Sequence, residues 1–304
     1  MKHLFSFSVY QSLSEISPAG AGPALEEMGC DGLELLTGYS PVPDEYCRYA
    51  AGVHLPYAAD WLRAWRGAEI PECDPETARF MMFGKCAEDV TENLTLAISQ
   101  ASALDPPYGV LHAGNINLDE IFMHDSVDSD TKVLEAFCEM VNTAVSMLPH
   151  GRPPFKIAFE NLWWPGLKMK DGREVRFFER KIEFEEWGIC LDTGHLLNCL
   201  PGIRSEQDAI SSLLKVFEGY GQDTLDRIGN VHLHVSTSSD YRDSFEGRER
   251  DRRDPVGVLM EKANAHICRI DQHRPFMSEG CAGLVETLSP DCVPHEMAGS
   301  VSGD

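Results

Sequence analysis

The sequence predicts an α/β protein, a single (β/α)8 TIM barrel, on two observations. Eight short β-type runs alternate with helical stretches along the 304 residues, and strands that alternate with helices pair in parallel. Several of those runs end in His, Asp or Glu, and the C-terminal ends of barrel strands are where this fold keeps its chemistry. With 43% hydrophobic residues the chain can fill one large core, and a barrel typically runs to about 250 residues.

In order, the strand-like runs lie near 3–9, 31–36, 51–55, 108–112, 155–160, 187–192, 229–235 and 274–279. They are apolar enough to be buried on both faces, as parallel strands are. Five finish on a potential ligand: Gly52-Val53-His54, Val110-Leu111-His112, Ile157-Ala158-Phe159-Glu160, Ile189-Cys190-Leu191-Asp192 and Val231-His232-Leu233-His234. A sixth, Pro275-Phe276-Met277-Ser278-Glu279, carries a weaker version of the pattern. Helical periodicity fills the gaps at 24–28, 76–103, 129–147, 206–220 and 256–268. The expected domain is a catalytic barrel over 1–287, followed by a loose Pro/Gly-rich tail over 288–304. Three long connections, 56–75, 163–181 and 236–255, would overhang the barrel mouth, and loops of that length are usually functional or disordered. Their aromatic residues, Tyr57, Trp61, Trp65, Trp163 and Trp164, either pack the loops together or stack on a sugar or base.

Composition narrows the function. Asp plus Glu number 49 against 26 Lys plus Arg, a net charge of −23, which repels phosphate backbones and anionic membranes. No nucleic-acid or membrane partner is therefore expected. The ten cysteines form no C-x-x-C pair; they read as free thiols in a reducing, cytoplasmic location. Residues 1–10 read as a first strand and not a signal peptide, and no apolar run approaches the ~20 residues that span a bilayer. No phosphate-cradling glycine loop, nucleophile elbow or dinucleotide fingerprint is present.

One buried His or Glu can be a satisfied core residue. Five or six at strand ends, all from the His/Asp/Glu set, point to a divalent metal. The period of two puts His232 and His234 on the same face of their strand, so one of them suffices as a ligand; His234, nearer the strand's end, is the expected one. Glu34 in Asp31-Gly32-Leu33-Glu34 ends the second strand and either reaches the mouth or pairs with a basic neighbour. Asn161 follows Glu160 and is placed to orient it. The arginines at 242, 248, 250, 252 and 253 are interleaved with acids, which reads as a self-paired loop or as a contact for an anionic group of the substrate.

The motifs Gly52-Val53-His54-Leu55-Pro56-Tyr57, Leu111-His112-Ala113-Gly114, Phe159-Glu160-Asn161, Leu191-Asp192-Thr193-Gly194-His195, Val231-His232-Leu233-His234 and Ser278-Glu279-Gly280 together resemble the xylose-isomerase-like TIM barrels. That superfamily holds sugar isomerases and epimerases together with the apurinic-site nuclease endonuclease IV (AP endonuclease family 2). The resemblance to the epimerase branch implies one divalent ion on Glu160, Asp192, His234 and Glu279, Mn²⁺ first, with Zn²⁺, Mg²⁺, Co²⁺ or Fe²⁺ as substitutes. It implies Glu160 and Glu279 as the proton-transferring pair and His195 on a substrate oxygen. His54, His112 and His232 are expected as substrate-binding groups, with a second metal site bridged by Glu160 as the alternative for His54 and His112. The expected activity is isomerisation or epimerisation of a small sugar-like molecule through an enediolate. The alternatives are an endonuclease-IV-like phosphodiesterase or another lyase or hydrolase on the same barrel. The nuclease branch is similar in matching His54, His112 and Glu160 to a first zinc, and Asp192, His234 and Glu279 to a second. Its third zinc takes His195 and an Asp-Arg-His triplet, for which the nearest run is Asp251-Arg252-Arg253; arginine cannot ligate zinc. The sequence leaves the substrate, the number of ions and any homo-oligomer open.

Overall fold

The computed structural model describes residues 1–248 and 254–296. Eight parallel strands close into a barrel in sequence order: β1 (Lys2–Ser8), β2 (Gly32–Leu36), β3 (Ala50–His54), β4 (Tyr108–His112), β5 (Lys156–Glu160), β6 (Trp187–Asp192), β7 (Ile228–His232) and β8 (Cys292–His295). The helices pack outside by their apolar faces. In the helix Ala87–Ala101 the buried residues Val90, Leu94, Ala97, Ile98 and Ala101 recur every three or four positions, the stripe that faces a sheet. Outside β5 and β6, Phe159 packs against Phe137, Phe178 and Trp187 with ring centroids 5.0–5.9 Å apart.

The period-two alternation of the strands decides what enters the barrel. Leu4, Tyr108, Val110, Ala158, Cys190 and Cys292 form an interior layer. One step toward the C-terminal ends, the same inward positions are His112, Glu160, Asp192 and His232. Register then makes neighbours of distant residues, His112 opposite Glu160 and Asp192 opposite His232.

Two expectations are corrected. The eighth strand is not 274–279. It is Cys292–His295, inside the segment read as a loose tail, and it pairs with β1 from Lys2↔Cys292 to Phe5↔His295 and with β7 at Asn230↔Cys292. The barrel therefore extends past 287. Pro294 and the shortness of the strand hid it, because proline inside a run argues against a strand. The 274–279 segment lies on the surface instead: Met277 is 83% exposed, and Glu206 accepts hydrogen bonds from the Met277 and Ser278 amides at 3.0 and 2.6 Å. The expected helix over 76–103 is likewise two helices, Pro75–Met82 and Ala87–Ala101. They break where Phe83 turns left-handed (φ 59°) and Gly84 adopts φ 146°, a backbone that glycine alone takes readily.

Candidate metal centre

The ligand candidates converge on Glu160, which ends β5 and is fully buried. Its Oε2 lies 3.2 Å from His54 Nε2 and 3.2 Å from His112 Nε2. His54 donates from Nδ1 to the Leu55 carbonyl at 2.7 Å, which leaves its Nε2 lone pair for the centre. The other oxygen of Glu160, Oε1, lies 3.4 Å from His232 Nδ1 and 3.3 Å from His195 Nδ1. His232 Nδ1 also faces Asp192 Oδ2 at 3.8 Å and Glu296 Oε2 at 3.5 Å. Thus Glu160 belongs to two ligand sets, one through each oxygen.

A third set stands beside these. His195 Nε2 is 3.1 Å from Asp271 Oδ2, and His273 Nε2 is 2.7 Å from the same oxygen. His195 donates from Nδ1 to the Asn161 carbonyl at 2.8 Å, so its Nε2 faces the trio. Asp192 caps the short helix Thr193–Asn198 by accepting from the His195 amide at 2.6 Å, and that cap holds the Asp-Thr-Gly-His turn in shape.

The structure puts both strand-7 histidines in the centre with no exposure. His232 Nδ1 is the nitrogen facing Glu160, Asp192 and Glu296. His234 sits one layer higher, with Nε2 2.8 Å from Asp192 Oδ2 and its ring stacked 4.1 Å from His273. Glu279 is corrected as a site residue. It lies exposed in the 3-10 turn Glu279–Cys281, because the strand that would have carried it inward is not formed. Glu296, directly after β8, reaches the centre in its place. Asn161 braces the backbone of Asp192, not the side chain of Glu160: it donates to the Asp192 carbonyl at 2.9 Å and accepts from the Asp192 amide at 2.8 Å.

Sequence reasoning missed Asp271, His273 and Glu296. A signal was available for the first two, because Asp271-Gln272-His273 is an Asp-x-His run. The run matched to the nuclease triplet, Asp251, Arg252 and Arg253, lies outside the described residues. The lack of a histidine at Arg253 consequently does not argue against a third ligand set.

The electrostatics follow from crowding carboxylates and imidazoles in a dry space. Burial works against ionising Glu160, but His112 and His232 outweigh it and hold the carboxyl well below its ordinary range. Burial also opposes charge on His195, yet Asp192 and Asp271 hold that imidazole well above its ordinary value. For His273 burial is outweighed by Asp271, which lifts it to about 9. Protons on His195 and His273 thus balance the neighbouring carboxylates, and a bound cation would displace them. The donors fit divalent ions: Glu160 Oε1, His232 Nδ1 and His234 Nδ1 are buried without a hydrogen-bond partner among the described residues. Buried polar atoms normally have one. Imidazole and carboxylate donors suit zinc, manganese and similar ions.

Above the centre opens a cavity of about 460 Å³, whose rim includes Tyr57, Trp163, Trp164 and Asn264. Tyr57 stacks on His112 at 4.9 Å and Trp163 lies 5.0 Å from His195. Trp61 is fully packed, donating from Nε1 to the Gly114 carbonyl at 2.8 Å; it braces loops and is not part of the rim. No lysine or arginine lines the cavity among the described residues.

No protein-family model matches the sequence, and no curated protein does. Solved structures do match. Endonuclease IV from Thermus thermophilus aligns at 13% identity and a TM-score of 0.52, covering 98% of this chain and 93% of that one. A D-tagatose 3-epimerase-like protein aligns at 15% identity and a TM-score of 0.47, covering 98% and 91%. D-allulose 3-epimerase from Methylomonas sp., in complex with D-allulose, aligns at 14% and 0.47, covering 98% and 85%. At these identities the likeness is one of fold, a closed (β/α)8 TIM barrel as in endonuclease IV.

Proposed function

We propose that this protein is a divalent-metal phosphoesterase with a multinuclear centre, acting on a small substrate. The observation that carries the reading is the trio His195, Asp271 and His273 beside Glu160, whose two oxygens face His54 and His112 on one side and His232 on the other. Proton transfer between sugar carbons needs one ion. Several ions around a bridging carboxylate suit displacement at phosphorus, where charge develops on attacking, leaving and non-bridging oxygens together. Bound ions would supply that charge stabilisation. The chain's own residues would hold the sets at fixed spacing, exclude water beneath the site, and offer Tyr57 and Trp163 as flat walls for the rest of the substrate. The net charge of −23 and the lack of lysine or arginine lining the cavity among the described residues favour a small, otherwise neutral molecule over a nucleic acid. The ten free cysteines support a cytoplasmic location.

A second reading, a sugar isomerase or epimerase, is favoured by one observation. Glu160 and Glu296 face the same His232 nitrogen, so two carboxylates flank one ion position, as proton removal and return at carbon require. In that reading Glu296, not Glu279, partners Glu160.

The test has two measurements. Ions per chain are counted by elemental mass spectrometry after loading with Zn²⁺ or Mn²⁺. The loaded protein is then given bis(p-nitrophenyl) phosphate and, separately, a panel of ketoses and aldoses in D2O. Two or three ions with phosphoester cleavage is the expected result. One ion with deuterium entering a sugar carbon would replace the first reading by the second.

A further inference from the structure

We infer that Glu34 is a positioning residue for the metal centre, locking the imidazole of His232, and that Tyr108 holds Glu34 in place. The inference rests on reading His232 as a ligand. Glu34 lies in the middle of β2, inside the barrel and fully buried. It takes two hydrogen bonds, one on each oxygen. His232 Nε2 donates to Oε1 at 2.9 Å, and the Tyr108 hydroxyl donates to Oε2 at 2.5 Å. With Nε2–H committed downward, the other nitrogen of His232 is the one presented to Glu160, Asp192 and Glu296. A carboxylate behind a histidine fixes which nitrogen can bind a metal and makes it a better donor.

The backbone is built to allow this contact. Tyr108 starts β4 and must reach across β3 to touch β2. It passes over Gly52, where a Cβ would lie 2.4 Å from both Cζ and Oη of the tyrosine. Gly52 is also the register partner of Glu34. Stability alone does not call for such a chain. Most of this layer is apolar, with Leu4, Val110, Ala158, Cys190 and Cys292 around the buried Asn230, and replacing a buried polar pair by apolar residues is often neutral or stabilising. The arrangement is explained if the polar chain serves the nitrogen at its upper end.

The experiment uses the full chain loaded with Zn²⁺. In the wild type, ¹⁵N NMR of His232 should show zinc on Nδ1 and a slowly exchanging proton on Nε2. Glu34→Leu, with a wild-type melting profile, should bind one of its ions roughly 10–100-fold more weakly in a chelator competition, the others being unchanged. Glu34→Gln keeps an acceptor for Nε2–H and should recover part of the affinity. Wild-type zinc affinity in a folded Glu34→Leu protein, or zinc found on Nε2 of His232, overturns the inference. Should Glu34→Leu not fold, Tyr108→Phe decides: weaker binding of the same single ion supports the inference and unchanged binding overturns it. If the wild type leaves His232 free of metal altogether, it is the reading of the centre that fails.

Discussion

At the scale of single residues, the centre depends on side chains that sequence separation disguises. Glu160 divides its two oxygens between His54 and His112 on one side and His232 and His195 on the other. Its role therefore differs from that of a residue serving one set. Asp192→Ala should remove about one ion per chain, whereas Glu160→Gln should weaken two sets together. Elemental analysis after dialysis separates the cases, and an unchanged ion count in Asp192→Ala would exclude that residue. His273→Ala is the sharper probe, because it bears on the trio without touching either oxygen of Glu160: one ion fewer, with the fold intact by circular dichroism, is expected. Gly194 adds a steric test. A Cβ there would lie 2.0 Å from His234 Cε1, so Gly194→Ala should push that imidazole aside and lower stability by about 1–3 kcal/mol, the range for overpacking a filled interior, measurable by urea denaturation.

At the scale of elements, β8 carries most consequence. It is four residues long, includes a proline, and still closes the barrel between β7 and β1. Without it two parallel edges would stand open, and unpaired edges invite association. Deleting the chain from Asp291 onward should thus yield aggregated protein, or protein lacking a cooperative melt, in gel filtration and calorimetry. A soluble, cooperatively folding product would show that the segment is dispensable. The aromatic cluster over β5 and β6 invites a second test. Phe159 is fully buried against three rings, and truncation of such a residue costs about 3–5 kcal/mol. Phe159→Ala should accordingly lower the urea midpoint strongly while leaving the inward-facing ligand set in place in any fraction that remains folded.

At the scale of the whole molecule, the centre and the barrel are coupled. Carboxylates and imidazoles from β3 through β7, and from the residue after β8, meet at one end, so whatever binds there ties the strands together. A ligand that binds only the folded state stabilises it by about 2.7 kcal/mol at a hundred times its dissociation constant. Chelation should lower the melting temperature by several degrees, and adding back Zn²⁺ or Mn²⁺ should restore it; identical scanning-calorimetry traces with and without chelator would argue against metal binding to the native state.

What the sequence determined on its own was whatever local chemistry dictates. Short apolar runs alternating with amphipathic helices specify a parallel closed sheet. A period of two, with a polar residue one step beyond an inward apolar one, specifies that His54, His112, Glu160, Asp192, His232 and His234 gather at one end of the barrel. The presence of a metal-type ligand set was legible for the same reason. What only the tertiary structure decided was which residues complete it. Glu296 reaches the centre because β1 and β7 together hold a four-residue strand that has little tendency to form alone, and strand identity in that case comes from its neighbours. Asp271 and His273 join His195 because the chain folds back after the helix Val256–Ile270 to bridge Val235 and Arg274. His232 likewise reaches Glu34 on the second strand through Nε2, 198 residues away in the chain. Contacts of that kind are set by barrel closure and register, which no window of sequence contains.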